Sequence, residues 1–316
     1  MMRILLRRLA HVVPVLLIVS FGTMLLVNLA PGDPAYTILG ESATAEQVKA
    51  LHEQLGLDEP LLTRYAHWLG DVLTGNLGES IRTHLSVGHV ILEKLPVTLE
   101  LAVLSLLMAL LISIPVGIYA AYRADRAFDR TTQVGTSFLV ANPSFVIAIF
   151  LIYLFAVQLR LFPVSGWVPF SSNIGENLRF AFLPALTLAL AEIGVFVRLL
   201  RADMLATLQE DYILAAKGKG LSSRAILVRH ALRPSSFSLL TLAGLSFGRT
   251  MGGALIVESI FGLPGLGNLL VQSIEVKDTA MVQGVVIFIA LAYVLINALV
   301  DSLYSWLDPR VRALEV

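Results

Sequence analysis

The stretch "KGKGLSS", Lys217 to Ser223, is the first place where this sequence could hold chemistry. A phosphate loop cradles phosphates with backbone N–H groups and a Lys, and it needs Gly, four residues, then Gly-Lys-Ser or Gly-Lys-Thr. Here Gly220 follows Lys219 and Ile213 stands where the first Gly belongs, so the nucleotide reading fails. "HEQLG" at His52 lacks the second His of a zinc-protease helix, and "FGLPGLG" at Phe261 has no strand before it for a dinucleotide turn. His52, His67, His84 and His89 share one inter-run segment, but match no common metal spacing and have no acidic or thiolate cluster to complete a site. The absence of Cys removes disulfides, thiolate ligands and thiol nucleophiles. No catalytic residue and no metal site is predicted.

The elements that must position any other polar residue follow from composition. The chain has 316 residues, 56% hydrophobic and 15% charged, with mean hydropathy +0.78. A soluble domain carries roughly 25% charge, so this is the composition of a membrane protein. A net charge of zero and a pI near 7.0 give no support to a nucleic-acid partner. A hydrocarbon core ~30 Å thick takes about twenty apolar residues of helix. Runs of that kind lie near 9–30, 99–122, 134–158, 181–202, 235–257 and 281–306, which predicts an all-α polytopic membrane protein of six spans. The first run exceeds a ~7–15-residue signal core, and Pro31, Gly32 and Pro34 follow it in place of a cleavage site, so it reads as a retained span.

Positive charge sets the orientation. Arg3, Arg7 and Arg8 precede the first run, and Arg123, Arg126 and Arg130 crowd the second connection. Arg201, Lys217, Lys219, Arg224, Arg229 and Arg233 fill the fourth, and Arg310 and Arg312 lie in the tail. The third and fifth connections hold only Arg160, Arg179 and Lys277. Both termini are therefore expected to be cytoplasmic, as an even number of spans requires. The chain divides into an N-terminal span at 1–30, an extracytoplasmic loop domain at 31–97, a five-span core at 98–306 with a cytoplasmic loop at 202–234, and a cytoplasmic tail at 307–316.

The loop domain has helix signals of its own. Thr44 and Gln47 have capping-box spacing, and the helix they start would end at Gly56. A second would begin near Pro60, stop near Gly75 and present Leu62, Tyr65, Trp68, Leu69 and Val72 on one face.

A charge at the bilayer centre costs about 2.5–3.5 kcal/mol on the lenient insertion scale, so charged residues within spans face protein or water. Glu192 and Arg249 lie deepest and are the candidates for a polar path, with structural ion pairing as the alternative. Glu100, Arg198, Glu258 and Asp301 lie nearer span ends, where interfacial placement or structural ion pairing is expected. Gly244, Gly248 and Gly252 form a small-residue stripe that lets helices pack closely, within the chain or against a partner.

The segment "DYILAAKGKGLSSRAILVRHALRP", Asp211 to Pro234, is basic and rich in Ala and Gly between apolar flanks. Ala215 and Ala216 keep a helix surface small enough for another backbone to approach. Gly218 and Gly220 permit left-handed angles and end the helix, with Leu221 packing back on it. Ser222 or Ser223 can cap a following helix that Pro234 limits. The segment therefore predicts helix, glycine turn, helix, suited to a groove on a cytoplasmic partner.

The spacing of Ala215, Ala216 and Gly220 resembles the "EAA…G" loop of membrane permeases of binding-protein-dependent ABC importers. Leu214 stands in place of the Glu, and Arg233 in place of the later Pro. "EDYILAAKGKGLS" followed by "HALR" is similar to the peptide/nickel subclass, as are "LLRRLAHVVPVLL…LAPGDP", "LGLDEPLLTRYAHWLGDVLTGNLG", "ESIFGLPGLGNLL" and "LVDSLYSWLDPRVR". The resemblance implies a cell-membrane importer subunit whose loop residues Asp211, Tyr212, Ala215, Ala216, Lys217, Gly218, Gly220 and Leu221 couple to an ATPase. It implies a homologous second permease, two ATPase subunits that bind ATP and Mg, and an extracytoplasmic binding protein, with no cofactor on this chain. Short peptides are the expected cargo, with nickel complexes, glutathione or another small solute as alternatives. An ion-coupled secondary transporter is the rival class, but no inverted repeat supports it.

Overall fold

A computed structural model describes residues 2–40 and 42–307, with side chains except those of 2–11, 37–38, 54–55 and 301–307. The tail at 308–316 and the side chains of Arg3, Arg7, Arg8, Asp301, Arg310 and Arg312 thus lie outside the described residues. The described residues are overwhelmingly helical, with one isolated bridge between Glu79 and Ser86. Two compact units are present: residues 1–98 with 264–294, and residues 99–263 with 295–316.

In the first unit, α1 (Met2–Leu29) leads to a short α2 (Pro34–Leu39), whose first turn Asp33 caps by accepting from the Ala35 N–H at 2.8 Å. The capping box forms as expected. Gln47 N–H donates to Thr44 Oγ1 and Thr44 N–H to Gln47 Oε1, and α3 (Ala45–Leu55) stops at Gly56 in the left-handed region. Helix α4 (Leu61–Leu73) follows Pro60, and its predicted apolar face finds a neighbour in α1. Tyr65 meets Phe21 edge-on at 5.2 Å, and its hydroxyl lies 2.9 Å from Ser20 Oγ. Helix α5 (Val87–Tyr122) begins at Val87, well before the apolar run at 99.

In the second unit, α6 (Ala127–Ala141) and α7 (Ser144–Leu151) meet at a bend of 105°. The sequence predicted one span there, near 134–158, and no break within it was anticipated. Pro143 supplies no N–H and holds Asn142 extended (φ −94, ψ 130), so the helix breaks. Helix α7 runs into a π-helical turn at Ile152–Gln158. Helix α8 (Ile174–Thr207) starts on Asn173, which caps Glu176 N–H. Helix α9 (Asp211–Gly218) and α10 (Ser223–Ala225) follow, and a π-helical turn at Ile226–Ala231 passes into α11 (Leu232–Phe261).

The expectation that Pro234 separates the second loop helix from the fifth span is therefore corrected. Pro234 lies inside one continuous helical stretch, Ser223–Phe261, just after the wider π-helical turn, which makes room for its ring and its missing N–H. Within the π turn the Leu232 N–H reaches back to the Leu227 carbonyl, and the helix continues unbroken.

Back in the first unit, α12 (Leu266–Glu275) was not anticipated. It packs through Leu266 and Leu270, and its Leu266 N–H donates to Thr98 Oγ1 at 2.9 Å. The last described helix is α13 (Thr279–Leu307), whose residues from 295 belong to the second unit. Among the described residues, five helices are long and apolar enough to cross a membrane, or six if the bent pair α6–α7, with the π turn that ends it, counts as one span.

Candidate functional site

The loop at 202–234 is built as an elbow on the ends of α8 and α11. Thr207 Oγ1 lies 3.0 Å from Ser235 Oγ, which ties the two stems together. A tight turn follows α8: Leu208 N–H bonds Met204 O at 2.9 Å and Glu210 N–H bonds Thr207 O at 3.1 Å. Helix α9 then turns its inner face into the unit's core, where Ile213 is fully buried and Ala216 nearly so. They join a cluster containing Phe196, Leu200, Met204, Ile226 and Leu239.

The opposite face of α9 is open. Asp211, Tyr212, Leu214, Ala215, Lys217 and Gly218 are exposed, as is Leu221 beyond the helix. The two alanines thus divide: Ala215 faces outward and Ala216 inward. The glycine turn forms as a Schellman motif, with Gly220 N–H bonded to Lys217 O at 2.9 Å and Leu221 N–H to Ala216 O at 3.3 Å. Gly220 has φ +75, whereas Gly218 remains helical. Leu221, at C″ of that motif, is exposed. Ser222 Oγ accepts from Ala225 N–H and starts the next helix. An apolar-and-basic surface is the result, with Val228, Arg224, Arg229 and Arg233 also exposed.

The two deep charges are brought together. Glu192 on α8 and Arg249 on α11 approach to 3.6 Å, and Arg249 Nη2 also donates to Ser246 Oγ at 2.7 Å. The glycine stripe separates along its length: Gly244 lies against Val300 of α13, Gly248 is buried and Gly252 is exposed.

Sequence reasoning missed Asp129. It is fully buried at the start of α6 and accepts two bonds from the Arg201 guanidinium, that to Oδ2 being 2.6 Å. Arg201 entered the orientation argument only as a positive charge. The available signal was a second acid, four residues after Asp125, in the arginine-rich "RADRAFDR".

In the first unit two of the histidines meet separate carboxylates. His52 bridges Asp33 (2.9 Å) and Asp58 (3.3 Å), while His67 lies 3.6 Å from Glu59. The hydrogen bond that His52 donates to the Asp33 carboxylate holds His52 above its usual range, against the opposing effect of burial. Burial pushes Asp33 up, but the bonds from His52 and the Ala35 N–H, with the charges of His52 and Lys277, outweigh it and leave Asp33 below its usual value. Lys277 Nζ also donates to the Ala30 carbonyl at 2.8 Å and to the Gly32 carbonyl.

Comparison with known proteins covers the same elements. A model of the family described as binding-protein-dependent transport system inner membrane component matches residues 113–313. A model of the N-terminal part of such membrane components matches residues 1–102. A Brucella abortus (strain 2308) protein named for a peptide transport system permease is 42% identical over 312 residues, 99% of each chain. A Sinorhizobium fredii (strain NBRC 101917 / NGR234) protein named for a peptide ABC transporter permease is 38% identical over 307 residues, 97% of this chain and 98% of the other. The glutathione transport system permease protein of Shigella flexneri serotype 5b (strain 8401) is 34% identical over 313 residues, 99% of each chain. Among solved structures, an amino acid ABC transporter with histidines aligns at TM-score 0.47 and 19% identity, covering 71% of this chain and 94% of the other.

Proposed function

This chain belongs to the family of binding-protein-dependent transport system inner membrane components, and we propose that it forms half of the pathway of an ATP-driven importer of short peptides. It is a multi-pass inner-membrane protein. In our reading it crosses the bilayer six times with both termini in the cytoplasm, the bent α6–α7 pair serving as one crossing. Residues 31–97 then face outward, toward an extracytoplasmic binding protein, and the elbow faces inward.

The observation that carries the coupling role is the two-sided construction of α9. Ile213 and Ala216 anchor it in the core, and Tyr212, Leu214, Ala215, Lys217 and Leu221 leave an apolar-and-basic face uncovered. A cleft on a separate ATPase subunit would take that face. ATP and Mg would be bound there, since this chain has no phosphate loop. Helix α8, at 34 residues and ~1.5 Å per residue, would carry a displacement of α9 about 50 Å into the membrane. A homologous second permease and two ATPase subunits complete the assembly. Two arrangements of such an element, each favoured by one nucleotide state, give alternating access its physical content.

Short peptides are proposed as cargo because of the names borne by the Brucella and Sinorhizobium relatives; glutathione, itself a peptide, is supported by the Shigella one. The test is co-purification in mild detergent. Ala215→Trp should release the ATPase while the permease remains folded and inserted; an undiminished ATPase yield would remove the coupling role. In proteoliposomes containing the whole assembly, di- and oligopeptides should compete with one another for uptake. Competition by nickel or glutathione alone would reassign the cargo.

A further inference from the structure

Helix α6 is fastened to the elbow end of α8 at three successive levels, all within the second unit. Nearest the elbow, Asp129 accepts from Arg201 Nε and Nη2 along one edge of the guanidinium, and Asp129 Oδ2 also accepts the Asp125 N–H at 2.9 Å. One turn along α8, Arg198 Nη2 donates to the Thr136 carbonyl at 2.9 Å. A further turn on, Gly194 allows backbone contact: a Cβ there would stand 2.8 Å from Val140 Cγ2, 3.1 Å from the Thr136 carbonyl and 3.3 Å from Leu139 Cβ. Beyond these levels α6 ends in the 105° break at Asn142–Pro143.

The physical character of each fastening matters. Asp129 has no exposure and its partner is a planar bidentate donor, so sliding either helix by one turn would strand a buried carboxylate. The Thr136 carbonyl is a backbone acceptor, and a rotation of α8 would move Arg198 off it. Gly194 leaves no side-chain layer that could shear. The three contacts resist translation, rotation and shear respectively, whereas the break beyond them lacks a helical hydrogen bond at Pro143.

We propose that α6 and the elbow half of α8 move as one rigid arm, pivoting on Asn142–Pro143, with Asp129, Arg198 and Arg201 as its positioning residues. The proposal rests on the coupling role of α9 and deepens it: thrust delivered to α9 reaches α6 directly through α8. The mobile unit would then be a pair of helices, and the Asp129–Arg201 contact would stay closed throughout the cycle.

The chain contains no Cys, so an engineered disulfide can test this in the full transporter. Leu139→Cys with Gly194→Cys places the new sulfurs on Cβ positions 3.3 Å apart, close to the ~3.5–4.5 Å of natural disulfides, and Val140→Ala makes room. Oxidation should leave peptide uptake within about twofold of the reduced protein, because the arm is already rigid. Loss of uptake on oxidation, restored by reductant, would overturn the proposal by showing that the helices slide. Should the triple variant not fold, Asp129→Asn supplies the second readout. We expect retained ATPase and ATP hydrolysis, uptake per ATP reduced about tenfold, and partial recovery in Asp129→Glu. An unchanged ratio, or equal loss of assembly and uptake in both Asp129 variants, would also overturn it. Failure of the underlying coupling reading is seen separately, as an Ala215→Trp protein that still retains its ATPase.

Discussion

Glu192 of α8 and Arg249 of α11 meet at 3.6 Å, with the Glu side chain 18% exposed and the Arg 53%. The carboxylate is thus enclosed while its partner remains accessible. Such geometry is compatible with structural pairing of the two charges and leaves Arg249 accessible to a polar solute.

The pair can be tested as a pair. Removing Arg249 leaves a largely enclosed carboxylate without its countercharge, whereas removing both charges together does not. Arg249→Ala should lower thermal stability in detergent more than Glu192→Gln with Arg249→Gln. Because Arg249 is half exposed, a double-mutant cycle should return a coupling of about 1 kcal/mol or less. Equal destabilisation by the single and double variants would dismiss the interaction.

Gly220 isolates a backbone effect. Its φ of +75 is one that L side chains rarely adopt, yet no atom lies within 4 Å of where a Cβ would stand. Gly220→Val should therefore strain only the turn, by roughly 1–2 kcal/mol. Membrane insertion should persist while uptake per ATP falls severalfold; normal uptake would show that the turn tolerates another shape.

Ala216 separates fold from docking. It lies 7% exposed in the core, so Ala216→Leu should overpack the cluster and destabilise the permease itself by about 1–3 kcal/mol. Ala215, on the open face, should accept the same change without loss of thermal stability. Matching melting curves for the two variants would contradict the two-sided elbow.

The His52–Asp33 contact should respond to pH at both ends. The folded value of His52 is raised above 6.5, so its contribution is complete below 6.5 and lost as pH rises through the folded value. Asp33 is lowered from 3.8, so its contribution is present above 3.8 and lost as pH falls through the folded value. Hydrogen exchange across residues 33–58 should be slowest between those limits and accelerate on either side. In His52→Gln the acceleration on the alkaline side should disappear; its persistence would assign it to another group.

Gly244 and Gly252 should differ although both belong to one stripe. Gly244→Leu would drive a side chain into Val300 of α13 and should destabilise the chain. Gly252 is exposed, and Gly252→Leu should change stability by no more than about 0.5 kcal/mol. A large loss at Gly252 in the isolated chain would place a hidden neighbour there.

Local signals were legible where one stretch of chain decides the outcome. The Thr44–Gln47 box, the stop at Gly56, the start after Pro60 and the Gly220 turn each depend on hydrogen bonds or angles within a few residues. Pro143 and Pro234 show the limit of such signals. One breaks α6 from α7, and the other is carried through, because the wider π turn before it accommodates the ring and the missing N–H within a continuous helix.

By itself the sequence determined that the chain is helical, that it enters a bilayer, and where a small-residue elbow interrupts its apolar runs. Hydropathy and spacing are properties of contiguous residues, and they suffice for that. Only the tertiary structure decided that Ala216 turns inward while Ala215 turns outward, that Glu192 finds Arg249, and that Asp129 finds Arg201 across 72 positions. A charge buried among apolar helices needs a partner, but which partner depends on how distant helices cross, and no local pattern encodes that.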